Sequence, residues 1–231
     1  MNLEELEAKY KKNRQSWNED HRIRVHRAIS WLKSSEKYSA DPDIAFMGAL
    51  NAMNALWGQL HVKDKEAVHK LSVNLTGTSA MKDIVNIFRT QQGQRWLTML
   101  VDNKHLYWQY WVYLQGDMDE TQYKRASANH RQQALRAIRE QKYSWLLKSV
   151  MEQAVVLRSQ VFHGFTTYDS KANRELISLT AKMMRKMAII IANAQIDEPR
   201  RDWGITPWTF GSEPKPQKQR STLKVGIPRH R

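Results

Sequence analysis

Apolar residues along this chain recur at three- and four-residue spacing, the period of an α-helix, and no stretch is rich in strand signals. Residues 2 to about 36 read as helix, with Val25, Ala28, Ile29 and Leu32 on one stripe and Trp31 beside it. The lead-in LEELEAKYKKNR is polar and is expected to be solvated. Asp41-Pro42-Asp43 is a helix start, with Asp41 as N-cap and Pro42 at the first helical position. The helix after it carries Phe46, Met47, Leu50, Met53, Leu56, Trp57 and Leu60. Being apolar on most sides, it belongs in the middle of a bundle. Asn51 and Asn54 on that helix need hydrogen-bond partners.

Residues 61 to 77 are mixed in pattern and close on a loop at Thr76-Gly77. A helix from about Ser79 to Gln91 presents Met81, Ile84, Val85 and Phe88. Another is expected from Arg95 to Leu114, crowded with Trp96, Leu97, Leu100, Tyr107, Trp108, Trp111 and Tyr113 and ended by Gly116-Asp117. Aromatics interleaved with basic residues can stack on bases, but at helical spacing such a stripe reads first as core. From Asp119 to His163 there is neither Gly nor Pro. The polar, basic first half and the apolar second half predict two helices, or one bent helix, changing near Lys142. Gly164 supplies the stop. After a loop over Phe165 to Lys171, a last helix from Ala172 to about Ala194 places Leu176, Leu179, Met183, Met187 and Ile190 on one face.

Between Pro42 and Pro199 nothing interrupts long helices, so the fold class is all-α. Five of the six Pro lie at or after position 199, where eight Lys/Arg stand against two Asp/Glu. The organisation expected is a helical domain over 1–198 and a Pro-rich basic tail over 199–231. Its first part, DWGITPWTFG, would pack through two Trp and the rest would be disordered.

A net charge of +14, with 37 Lys/Arg against 23 Asp/Glu, calls for a polyanionic partner. Nucleic acid is the first choice and an anionic membrane surface the second. The membrane reading lacks a strongly basic amphipathic helix with an apolar face, and no apolar run reaches the ~20 residues of a bilayer span. The N-terminal MNLEELEAKYKKNRQ has no apolar core, so no signal peptide is expected and a cytoplasmic location is. With no Cys, disulfides, thiolate-zinc sites and Cys nucleophiles are excluded. No Walker-type phosphate loop, HExxH or EF-hand pattern occurs, so no cofactor or metal is expected. His21 and His26 read as ordinary surface residues.

Catalysis by side chains alone directs attention to Arg158 and His163, with four residues between them at the end of an apolar helix and followed by Gly164. A His near pKa 6.5 moves protons at neutral pH, and an always-charged Arg suits a phosphate. Five residues along a regular helix turn the two side chains about 140° apart. Either the helix ends at the His or the site is assembled from two chains, with both copies meeting at a two-fold axis. The same spacing occurs at Arg125 and His130, in a polar, exposed-looking helix, where it reads as chance.

The stretch LRSQVFHG resembles the LRNQLxHG motif of HEPN-domain proteins, in which four to six residues separate an Arg from a following His. TTYDSKANRE is similar to the TWNSxxNR that follows the His in one prokaryotic branch. RAISWLKSSEKYSADPDIAFMGALNAMNALWG, DNKHLYWQYWVYLQG and Asp202-Trp203-Gly204 resemble further segments of that branch in order, so the likeness spans most of residues 22 to 210. It implies a helical bundle, a homodimer built through the motif helices, and metal-independent RNA cleavage by the 2′-hydroxyl. Carried over, Arg158 binds and polarises the phosphate and His163 transfers protons or stabilises charge. Ser159, Gln160, Asn173 and Arg174 support the site. The position after the Arg is commonly Asn, Asp or His in that family and is Ser159 here. Relatives of this kind serve as toxins or in phage defence, sometimes held by an antitoxin. Others are non-catalytic modules that bind nucleic acid or a protein partner.

Overall fold

The computed structural model describes residues 1–162, 167–171 and 173–207, and every regular element among them is helical. In chain order these are α1 (Leu3–Asn13), α2 (Glu19–Lys37), α3 (Pro42–Trp57), α4 (Asp64–Leu75) and α5 (Ser79–Arg89). They are followed by α6 (Gln91–Asp102), α7 (Trp108–Leu114), α8 (Glu120–Arg139), α9 (Tyr143–Phe162) and α10 (Arg174–Asp197). The all-α expectation holds, and among the described residues no helix is long and apolar enough to cross a membrane.

Caps explain where the helices start. The Asp41 carboxylate accepts from the amides of Asp43 and Ile44, with Pro42 completing the start foreseen from the sequence. Asn18 caps α2 through the His21 amide, splitting the expected 2–36 helix, and Arg14–Ser16 turns between the two parts. The polar lead-in is not solvated throughout: Leu3, Leu6 and Tyr10 fall on one face of α1 and are buried. Residues 61–77 contain a whole helix, α4, before the expected loop at Thr76-Gly77.

The expected 95–114 helix is broken as well. Asn103 leaves helical geometry (φ −89°, ψ 101°) and its side chain accepts from the His105 amide, starting a short 3₁₀ turn over Lys104–Leu106. An Asn side chain that bonds its own local backbone competes with helix continuation, and the chain restarts as α7. Of the aromatic stripe, Trp96 and Tyr107 are buried, whereas α7 buries none of its residues. The change of helix near Lys142 is as expected, made by Gln141 in the left-handed region.

Three helices form the middle: α3 packs along both α2 and α10, and α10 is flanked by α1, α5 and α6. Besides its predicted stripe, α10 buries Ile177, Thr180, Met184, Ala188 and Ile191, and so is covered on most sides. Close approach of α2 and α3 depends on Gly48. A Cβ there would stand 2.7 Å from the Ser35 amide nitrogen, and Ser35 Oγ donates to the Ala45 carbonyl across the same contact. Inside this middle Trp96 Nε1 donates to Thr180 Oγ1 at 3.0 Å.

Arg24 is fully buried at the end of the trio. Its guanidinium donates to the carbonyls of Leu56 (3.0 Å), Gly58 (3.0 Å) and Gly204 (2.9 Å), with a longer bond to Ala55. Residues 199–207 therefore lie against the bundle. Trp203 is buried, Leu60 donates to the Ile205 carbonyl, and the Thr206 amide donates to Asp20. Trp208 and the basic segment to residue 231 lie outside the described residues. His21 is another correction: it is buried, and its Nε2 meets the Gln195 carbonyl at 3.0 Å. Burial lowers its pKa, because charging the ring there would cost solvation.

Candidate functional site: the end of α9 and the pocket beside it

Of the chemistry read from the sequence, Arg158, Ser159 and Gln160 fall on the last two described turns of α9 (Tyr143–Phe162). Its buried face carries Leu146, Leu147, Val150, Ala154 and Leu157, so the residues around position 158 are placed by the core beneath them. Arg158 is a quarter exposed, and its Nη1 lies 3.4 Å from the Asp64 carboxylate in the first turn of α4. At that distance the pair is an ion pair open to solvent, loose enough to exchange for a phosphate. Ser159 is directed back along the helix, its Oγ donating to the Val155 carbonyl at 3.2 Å. Gln160 is buried, and its Nε2 donates to the His105 carbonyl at 2.8 Å. That carbonyl also accepts from Trp111 Nε1 at 2.9 Å. Gln160 thus ties α9 to the turn between α6 and α7. His163, with the start of the loop after it, lies outside the described residues.

Asn173 and Arg174 open α10. Asn173 sits in the left-handed region (φ 61°), and its Oδ1 faces Asn103 Nδ2 at 3.4 Å. Arg174 reaches Asp43 at 3.0 Å and Asp169 at 2.9 Å, and its Nε donates to the Ser170 carbonyl. Tyr168 bonds Asp41, and the Asp169 amide donates to Asp43. The Tyr168 bond, joined by the Ile44 and Asp43 amides, holds the Asp41 carboxyl below its ordinary pKa. Arg174 therefore works as a brace between the 167–171 segment and the start of α3, and it is bound to other carboxylates than Arg158 is. A shallow cleft of about 370 Å³ lies beside it, lined by Asn103, Lys171, Asn173 and Arg174 among others.

A second pocket, about 380 Å³, opens beside Arg158 on the side of Asp64. Leu106, Tyr107, Val155 and Val156 form apolar wall, while Lys65, Glu152 and Gln153 supply polar groups. His130 lines it too. The sequence placed that His on an exposed helix, but its ring is partly buried, packed edge-on against Tyr107 with centroids 5.0 Å apart. Its Nε2 lies 3.3 Å from Ser149 Oγ. Burial lowers its pKa, and Lys148 and Lys65 act in the same direction, so the ring is neutral at pH 7. Arg125, the other half of that chance pair, is exposed. Burial also raises the Tyr107 phenol to about 12, and its hydroxyl donates to the Val101 carbonyl.

Asp64, Asn103 and His130 are the site residues that sequence reasoning missed. His130 carried a readable signal, since it lies one turn before Ala134 and two turns before Ala137 on the face that α8 buries. Among the described residues no group of three or more His, Asp or Glu side chains converges as a metal site. Comparison of the chain with family models, with curated proteins and with solved structures finds no match.

Proposed function

We propose that this chain is a metal-independent endoribonuclease of the HEPN type, acting as a homodimer in which the α9 ends of two copies meet. The observation that carries this reading is Arg158 on the last two described turns of α9, a quarter exposed and ion-paired through its Nη1 to the Asp64 carboxylate at 3.4 Å. Its guanidinium is always charged, and the carboxylate it meets among the described residues is itself open to solvent. In the reaction the ribose 2′-oxygen attacks the phosphorus, the 5′-oxygen leaves with a proton, and a cyclic phosphate and a 5′-hydroxyl result. Arg158 neutralises charge on the phosphate oxygens, and His163 carries the proton, two copies at a two-fold supplying a base and an acid. Gln160, Asn173 and Arg174 hold the surrounding backbone, and the net charge of +14, part of it in the 199–231 tail, draws in RNA. A cytoplasmic toxin or phage-defence effector, restrained by an antitoxin, is the setting that suits such an activity.

A non-catalytic RNA- or partner-binding module is the second reading. It is favoured by Ser159, which stands where the family commonly has Asn, Asp or His and whose hydroxyl is spent on the Val155 carbonyl. Mixed RNA incubated with the purified protein in excess EDTA, beside His163→Ala, separates the two. Cyclic-phosphate ends from the wild type and none from the variant support the enzyme. Salt-dependent binding with no cleavage by either replaces it with the module, and cleavage that persists in the variant removes His163 from the chemistry.

A further inference from the structure

Trp108 is the most exposed Trp of the described chain at 64%, and it stands at the pocket beside Arg158 rather than alone on the surface. Its neighbour Tyr107 is buried and anchored through its hydroxyl, so one aromatic floors the pocket and the next is free at its mouth. Glu152 lines the same pocket with its side chain a quarter exposed, its shielded Oε1 lying 4.0 Å from Lys148 Nζ, so a carboxylate stands in the pocket wall as an acceptor. Gln109 and the carbonyl end of Gln153, whose Nε2 donates to the Leu100 carbonyl, add amide groups to the lining, and Lys65 adds a cation. Val155, on the pocket wall, is one helical turn before Arg158, and Asp64 belongs to both the pocket and the Arg158 ion pair. A phosphate bound at Arg158 would displace that carboxylate at the rim.

The pocket has a polarity suited to one occupant. A planar ring stacks on Trp108, its edge meets an acceptor and amides, and its phosphate falls on cations outside. We propose that this pocket takes an unpaired nucleobase of single-stranded RNA, adjacent to the phosphate held by Arg158. The proposal rests on the ribonuclease reading for the phosphate, but the base site is testable without cleavage. Single-stranded RNA is read in this way elsewhere, by stacking on aromatic side chains and by hydrogen bonds to base edges. The volume, about 380 Å³, lies at the small end of ligand pockets and suits a single base rather than a base pair.

The test is abasic scanning. A fluorescently labelled, unstructured eight-nucleotide RNA is titrated into the His163→Ala protein, and then the same RNA with one base removed at each position in turn. One position should lose about tenfold or more in affinity on base removal. In a Trp108→Ala, His163→Ala protein that position should lose no more than the others. Glu152→Gln should change which base is preferred there while leaving the other positions unchanged. Uniform losses along the strand, or a position-specific loss that survives Trp108→Ala, overturn the base site. If wild-type protein cleaves RNA but shows uniform losses, the enzyme stands and the pocket falls. If it binds with the position-specific loss but never cleaves, the pocket stands and the enzyme falls.

Discussion

The two halves of this molecule solve the problem of polar groups near the core in opposite ways. Around α2, α3 and α10 the polar groups are shut away from solvent: Arg24 is buried with carbonyl partners for its terminal nitrogens, Trp96 has its own hydroxyl acceptor, and Arg24 Nε, Asn54 Oδ1, Trp57 Nε1 and Gln195 Oε1 are buried without a hydrogen bond. Around α7, α8 and the end of α9 the polar groups are left available. Trp108 is exposed, Glu152 is a quarter exposed, and Arg158 rests on a carboxylate in solvent. A buried cation such as Arg24 needs the carbonyls it holds, because an unpaired charge in the interior is far more costly than an unpaired dipole. The sealed half is therefore built for stability, and the open half has groups to offer a ligand.

The sharpest way to break this contrast is Arg24→Ala, which takes the Arg24 donors from the carbonyls of Gly58 and Gly204 and leaves that of Leu56 with Gln195 Nε2 alone. A loss of about 4 kcal/mol or more is expected in chemical denaturation, enough to unfold a marginal domain. Arg24→Lys should rescue little, since one ammonium cannot span carbonyls from two separate segments as the guanidinium fork does. Next in size is Gly48→Val, which wedges α2 from α3 against the Ser35 backbone and should cost about 1–3 kcal/mol in the same measurement. In the open half, Trp108→Ala should move stability by no more than about 0.5 kcal/mol. A large loss there would show that the exposed aromatic belongs to the core after all.

The smallest effect expected is a pH slope. The folded state lowers the pKa of His21 by burial, so the unfolded chain binds more protons near and below pH 6.5. The stabilisation from keeping this ring neutral is present above the unfolded pKa and is lost as pH falls through the folded value. Thermal melts between pH 7.5 and pH 5 should therefore fall more steeply for the wild type than for His21→Gln, which can still donate to the Gln195 carbonyl. Equal slopes would remove His21 from the acid sensitivity of the sealed half.

What the sequence made legible follows the range of the interactions involved. The Asp41-Pro42 start, the change of helix near Lys142 and the apolar faces of α3, α9 and α10 are local, and each is set by residues within a turn or two. The break at Asn103 was missed because hydrophobic spacing runs on through it, while the side-chain bond to the His105 amide decides the backbone. Arg158 was placed correctly on its helix, but Asp64, its partner, lies 94 positions earlier in another helix, and no spacing rule joins them. Arg24 drew no reading from the sequence. Yet it stands on the same face as His21, Val25, Ala28 and Leu32, all of them buried, and that register was the available sign that its charge points inward.

The Arg24 clasp also bears on the order of events during folding. Its bond to the Gly204 carbonyl joins positions 180 residues apart, and Thr206 reaches Asp20 across 186. Loops of that length close late, after the local turns and hairpins of helices have formed, because the entropy of closure precedes its reward. An intermediate with α2 and α3 paired but residues 199–207 undocked would hold Arg24 over carbonyls it only partly satisfies. The half that is firmest at equilibrium is thus the last to be completed, and a chain interrupted before Gly204 would collapse without the bond that locks it.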